Sequence, residues 1–395
     1  MTTIWNRNFT LLTLSNFLIC SAYYSLISTL PVYISTTLHS PHSIVGLAMA
    51  SYAVAAILVR PFCGFGLDFF GRRTIFLASL VVYGLVFNVY ILVASVWFLV
   101  AVRFAHGLTW GLVTTSNSTL AGDIIPAEKR GEGFGYFGVT TTAGMALGPV
   151  IGSFILRHGG YHAMFYAGAA MGLISMLLAA SMRYPGYKRP PGLRFEWNAL
   201  VEFKTLIPSA NLLITSLSYG GLLSFIALYG QEIGIENPSG FFLIYALGII
   251  TARFSSGKAL DRHGPRRIII LCLTLLIVGF PLLATVKNAW GFYGAAVILG
   301  FGNGVVWPTF QAMVNNLVPA GRRGAANSTA FIAMDLGMGL GMIIAGVISE
   351  NRSISFAFFS CALFSAIGLA FFLRITLPHY IRSKQVYEAK LISNP

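Results

Sequence analysis

An apolar stretch long enough to cross a bilayer recurs twelve times along the chain, near residues 9–34, 43–63, 74–95, 97–121, 132–156, 161–182, 206–230, 240–259, 268–286, 290–314, 325–349 and 354–375. A helix needs about 20 residues to span the hydrocarbon, and the longer stretches can tilt or project into the headgroups. In that medium every backbone amide and carbonyl must be satisfied inside the protein, which leaves helices or closed barrels. Scattered glycines and prolines within long apolar runs do not match the short alternating strands of a barrel, so the reading is an all-α membrane protein. Composition agrees, with 10% charged residues and 56% hydrophobic, against about a quarter charged in a soluble domain. The first stretch begins almost at the N-terminus and lacks a cleavage pattern, so it is read as a retained span.

The chain also repeats itself. The segment Gly64-Phe-Gly-Leu-Asp68-Phe-Phe-Gly71-Arg72-Arg73 recurs in altered form as Gly257-Lys-Ala-Leu-Asp261-Arg-His-Gly264-Pro-Arg266, 193 residues later. The same ungapped shift pairs Arg60 with Arg253, Gly107 with Gly300, Gly111 with Gly304, Pro126 with Pro319, Gly144 with Gly337 and Gly148 with Gly341. Register held from about residue 60 to about 150 implies two equivalent halves. The expected domains are six-helix bundles over 1–182 and 206–376. A cytoplasmic linker over 183–205 carries Tyr184-Pro185-Gly186 and Arg189-Pro190-Pro191-Gly192, which break helices, and a cytoplasmic tail occupies 377–395.

Positive charge sets the orientation. With both termini cytoplasmic, the inner segments collect twenty Lys and Arg residues, while the outer side receives Arg157, Lys287 and Arg352; this is the positive-inside asymmetry. The net charge of +14 then reflects topology and anionic lipid, and nucleic acid is not needed as a partner. Cys20, Cys63, Cys272 and Cys361 fall singly within spans, with no metal or redox spacing. There is no phosphate-binding Gly-Lys-Ser/Thr loop and no nucleophile–base spacing, so neither an enzyme nor an ATP-driven pump is expected.

Three motifs carry chemistry. In the first, Gly64 and Gly71 allow close backbone approach across a short turn. Asp68 can pair with a basic group or a helix N-terminus, and Arg72 and Arg73 hold the turn inside. The alternative is a purely topological basic loop. In the second, Leu99-x-x-x-Arg103-x-x-His106-Gly107-x-x-x-Gly111, a buried arginine is costly and seldom idle. His106 is either a titrating group or a hydrogen-bonded packing residue. In the third, Gly144, Gly148, Pro149 and Gly152 permit a close helix crossing and a bend.

The first motif strongly resembles the signature between helices 2 and 3 of the major facilitator superfamily, and the other two resemble its helix 4 and helix 5 signatures. The resemblance covers nearly the whole chain and is nearest to the 12-helix drug:proton antiporters. It implies two six-helix bundles related by a pseudo-two-fold axis, with helices 1, 4, 7 and 10 around the central path. It implies that Asp68 helps hold the first half against helix 11 when the cytoplasmic side is shut, with Asp261 and Arg266 as the second copy. It also implies that Arg103 takes part in proton transfer or holds a polar network, an Arg tied to neighbouring carbonyls and hydroxyls being the structural alternative. The helix 5 run implies a rigid gate and favours export over uptake.

The candidate cavity residues are Asn16, Tyr23 and Tyr24 on helix 1, Trp110 and Asn117 on helix 4, Tyr219 on helix 7, and Asn303, Trp307 and Gln311 on helix 10. Polar groups at mid-depth must face protein or water, so they either line a cavity or only hydrogen-bond neighbouring helices. Asp335 lies well inside a span, where desolvation favours the neutral, protonated form. It is the leading candidate for coupling, the rival being a fixed pair with Arg253 or another buried donor. Glu232, at the outer end of helix 7, is a weaker one. Helix 1 has no acidic residue of the kind common in exporters of lipophilic cations, so a neutral polar or anionic amphipathic substrate fits better. The expected protein is a monomeric secondary transporter that exports a small molecule, such as a drug, a siderophore-like metabolite or a sugar-like compound, by alternating access. It needs no cofactor and draws on the proton gradient. Proton-symport uptake and a transporter-like receptor are the alternatives.

Overall fold

The computed structural model describes residues 4–126, 129–184, 202–318 and 323–393, and for residues 68, 130–131, 254–263, 323–324 and 386–393 the backbone only. The chain divides into two compact units, Met1–Phe195 and Glu196–Pro395.

In the first unit α1 is Arg7–Val32, α2 His42–Phe70, α3 Arg72–Val89 and α4 Val96–Ile124. A continuous helical segment, Arg130–Ala180, is interrupted at Gly160 (φ 72°, ψ −175°), which separates α5 (130–159) from α6 (161–180). Helix starts are set by short polar side chains that take an otherwise unpaired amide. Asn6 accepts from the Phe9 amide at 2.9 Å, and Ser95 from the Phe98 amide at 3.3 Å.

In the second unit α7 is Leu206–Glu232, α8 Gly240–His263 and α9 Pro265–Thr285. Next comes α10 in two pieces, Ala289–Gly304 and Val306–Asn316, then α11 Arg323–Asn351 and α12 Ile354–Phe371. A π-helical turn, Phe372–Thr376, leads into α13, Leu377–Ser393. The stretch expected as a tail is thus helical over most of its length, and the Tyr380 hydroxyl docks it by accepting from Asn316 Nδ2 at 3.1 Å.

Among the described residues ten helical segments are long and apolar enough to span a bilayer, and Arg130–Ala180 holds two of the expected spans. To these α8 adds a further, shorter apolar stretch among the described residues, Gly240–Arg253. Among the described residues the twelve expected spans are all helical. Large apolar side chains such as Leu85, Leu92 and Phe154 lie exposed, as suits a surface against acyl chains. Of the expected linker, residues 185–201 lie outside the described residues.

The halves repeat each other in their packing. In the first, α1 packs on α5 and α2 on α4; in the second, α7 packs on α11 and α8 on α10. Glycines at these crossings leave no room for a side chain, which lets backbones approach. A Cβ on Gly107 would overlap the Tyr52 carbonyl, and one on Gly300 the Tyr245 carbonyl. Gly111 faces Ala56 and Val59, and Gly304 faces Ile249 and Ala252. Gly144 and Gly148 meet Cys20 and Tyr24 of α1, and Gly337 and Gly341 meet Leu213 and Leu217 of α7. Each second-half partner stands 193 residues after its first-half counterpart. The repeat therefore reaches into α1 and α7, where matching residue types do not show it.

Candidate functional site

Helix α4 carries the densest cluster of candidates. Gly107 and Gly111 press its backbone against α2, and the larger side chains at 103, 106 and 110 fill the space beside that crossing. Arg103 and His106 are wholly buried. The Arg103 Cζ stands 4.9 Å from the centre of the Tyr52 ring. Tyr52 stacks on Tyr23 at 4.9 Å and Tyr23 on Trp110 at 4.1 Å, while half-buried Tyr24 meets Tyr23 edge-on at 5.1 Å. His106 Nδ1 and the Tyr90 hydroxyl form a hydrogen bond of 3.1 Å. The imidazole is packed edge-on by Tyr83 at 5.0 Å and Phe87 at 4.9 Å. Its Nε2, like Arg103 Nε, Nη1 and Nη2, finds no hydrogen-bond partner among the described residues. The Tyr90 hydroxyl lies beside the guanidinium.

About two turns away along α1 and α4 the amide candidates are tied to one another. Asn16 Nδ2 donates to the Thr140 and Thr141 hydroxyls, both at 2.9 Å, and Asn117 Nδ2 donates to Asn16 Oδ1 at 2.8 Å. Both asparagines are buried. Of the two roles open to them, the structure provides the interhelical one, joining α1, α4 and α5. The helix 5 run packs on the same helix. A Cβ on Gly148 would stand 2.6 Å from the Ser21 carbonyl oxygen, and one on Gly152 2.7 Å from Ser25 Cβ. Pro149 sits within the helical run 130–159.

At the α2–α3 turn, Gly71 has φ 91° and, at the equivalent α8–α9 turn, Gly264 has φ 67°. A side chain rarely adopts that conformation, which explains why the second glycine of the motif recurs. At Gly64 a Cβ would meet nothing within 4 Å among the described residues, so the close approach expected there is not seen among them. Arg72 Nε donates to Asp123 Oδ2 at 3.0 Å and its Nη1 to the Leu67 carbonyl at 3.3 Å, which ties the turn to the end of α4. Arg73 Cζ lies 5.8 Å from the Tyr184 ring centre. The side chains of Asp68 and Asp261 lie outside the described residues, and Arg266 is exposed.

In the second half Asp335 is 4% exposed, inside α11. Glu232 ends α7 at an exposed position. Tyr219, Asn303, Trp307 and Gln311 are half-buried. Asn303 Nδ2 donates to the Leu299 carbonyl of its own helix at 3.3 Å, and Trp307 packs on Phe331 at 4.6 Å. The interruption of α10 at Val305 has a local cause. Pro308 has no amide hydrogen, so the carbonyl four residues earlier, Gly304, loses its helical partner. Arg253 Nε takes that carbonyl at 3.3 Å. Among the described residues no group of three or more His, Cys, Asp or Glu could hold a metal.

Sequence reasoning missed Tyr52, Tyr83, Phe87 and Tyr90 around Arg103 and His106, and Asp123 as the partner of Arg72. One signal was present for Tyr52, since the 193-residue shift carries it onto Tyr245.

A model of the Major Facilitator Superfamily matches residues 12–258 and 232–392. The chain is 21% identical over 365 residues to the staphylopine export protein of Staphylococcus aureus (strain Mu50 / ATCC 700699), covering 86% of this chain and 90% of that one. It is 23% identical to the multi-drug resistance efflux pump PmrA homolog of Lactococcus lactis subsp. lactis (strain IL1403), over 97% and 98% of the two chains. A mutant of the nucleoside transporter NupG superposes with a TM-score of 0.75 at 15% identity, over 94% of this chain and 100% of the other. With twelve helical spans, two halves packed to one plan and a family match along nearly its whole length, the chain belongs to the Major Facilitator Superfamily and is a multi-pass membrane transporter of small molecules.

Proposed function

We propose that the protein exports a small molecule in exchange for protons by alternating access, as a monomer in the inner membrane with both termini cytoplasmic. In this reading the domains are 1–182 and 206–376, the linker is 183–205 and the tail 377–395. The observation that carries the coupling is Asp335, a carboxyl 4% exposed within a membrane span. Such a group is costly in hydrocarbon and marks ion pathways. The direction is supported by relatives whose names describe export and efflux. The driving force is the proton gradient, with no cofactor.

The test is proton release or uptake by purified, reconstituted protein on addition of candidate substrates such as a drug, a siderophore-like metabolite or a sugar-like compound. Antiport predicts net proton exchange of opposite sense to substrate movement. Influx of labelled substrate driven by an inward proton gradient would instead establish symport and overturn export.

The repeated turn, with Gly64, Asp68, Gly71, Arg72, Arg73, Asp261 and Arg266, serves as the gating element in this proposal. Gly64→Ala separates gating from packing. Open space at Gly64 among the described residues and the higher helix propensity of Ala, worth about 1 kcal/mol, predict an unfolding temperature unchanged or slightly raised. Slowed transport in that stable variant supports a gate, and unimpaired transport removes Gly64 from it.

A further inference from the structure

The Arg103 site is electrostatically incomplete within its own half. A guanidinium stays charged and presents five N–H donors in a rigid fork. Here it is wholly buried, and none of its nitrogens is hydrogen-bonded among the described residues. Tyr52 supplies one aromatic face, whose ring quadrupole attracts the cation. An ion buried without a counter-ion is costly, and a single ring offsets only part of that.

Among the described residues no carboxylate of the same half hydrogen-bonds it. The first-half acids are Asp68, Asp123, Glu128 and Glu132. Asp123 stands 20 residues further along α4, about 30 Å at 1.5 Å per residue. Asp68 belongs to the α2–α3 turn, to which Arg72 ties Asp123. Glu132 stands in the first turn of α5, and Glu128 lies outside the described residues. The titratable groups that do face Arg103 and His106 are Tyr23 of α1, Tyr52 of α2, Tyr83 of α3 and Tyr90 just beyond it.

The second half shows that the fold does not need the charge. The shift of 193 residues puts Ala296 where Arg103 stands and Leu299 where His106 stands, and both are wholly buried. The same glycine-to-tyrosine-carbonyl crossing forms beside them, Gly300 on Tyr245. A cation kept in one copy, where an alanine serves in the other, points to a ligand.

We propose that Arg103 receives a carboxylate of the transported molecule, which makes small organic anions the substrate class. The planar fork matches a carboxylate in two parallel hydrogen bonds, and the Tyr52, Tyr23 and Trp110 rings offer apolar contact to the carbon skeleton beside it. The inference rests on the transporter reading and deepens it.

The test uses the full-length protein in detergent, without a gradient. Its unfolding temperature is followed during titration with 2-naphthoate, benzoate and decanoate, and with the matching neutral amides. At least one carboxylate should raise the unfolding temperature while its amide does not, and Arg103→Gln should weaken that apparent affinity about tenfold or more. Arg103→Lys keeps the charge but not the fork. It should retain the preference for carboxylate over amide with several-fold weaker binding, and it serves if the Gln variant does not fold. Equal shifts from acid and amide, an undiminished shift in Arg103→Gln, or no shift from any carboxylate would overturn the proposal. Binding with no transport in vesicles would count against the transporter reading and leave the anion site standing. Transport that only neutral compounds compete for would remove the anion site alone.

Discussion

Asp335→Asn should abolish gradient-driven accumulation of substrate in proteoliposomes while leaving substrate exchange across an equilibrated membrane measurable. Asparagine keeps the shape of a protonated aspartic acid but cannot release the proton. A carrier that must lose a proton once per cycle then stalls in one leg, whereas exchange needs only the substrate-loaded leg. The expected effect is loss of accumulation to background with exchange within a few-fold of wild type. The side chain is 4% exposed within α11, and Asn replaces it without a change of volume, so the packing should survive. Accumulation at wild-type levels would remove Asp335 from coupling and turn attention to Arg103 and His106.

The largest structural effects are expected at the helix crossings. Gly107→Val and Gly300→Val each place branched carbons where the built Cβ already overlaps a carbonyl oxygen, of Tyr52 and of Tyr245. Neither helix backbone can yield by rotating a side chain, so the pair must separate along its contact. Overpacking costs about 1–3 kcal/mol and occasionally more, and a backbone obstacle belongs at the upper end. Both variants should lose most of their folded yield and unfold at clearly lower temperature by size-exclusion and thermal assays. Because the two contacts are equivalent, their losses should be similar. A normal unfolding temperature in either would mean that the crossing is wider than described.

The architecture was legible because two simple regularities survive in the residues themselves. Apolar runs of bilayer length fix the helices, and Gly160, at the boundary between two such runs, separates α5 from α6 with its positive φ. Gly71 and Gly264 were legible as a recurring pair at a turn, and the positive φ of both accounts for the recurrence. Facing was much less legible. Asn16 and Asn117 are polar residues at mid-depth and could have lined a cavity, yet they bond each other and the α5 threonines. Which side of a helix meets its neighbour depends on partners far away in sequence. The aromatic surroundings of Arg103 come from α1, α2, α3 and the turn after it, and no local pattern in α4 announces them.

The division of α10 makes its bending stiffness uneven along its length. Elsewhere in the helix, bending must stretch several amide-to-carbonyl bonds at once. At Gly304 the carbonyl is held by the side chain of Arg253, and a long side chain can follow a moving acceptor or let it go at about the 0.5–1.5 kcal/mol of one ordinary hydrogen bond. The piece Val306–Asn316, fastened by Trp307 to Phe331 of α11 and by Asn316 to Tyr380 of α13, can therefore tilt about Val305 without breaking a backbone hydrogen bond at Gly304.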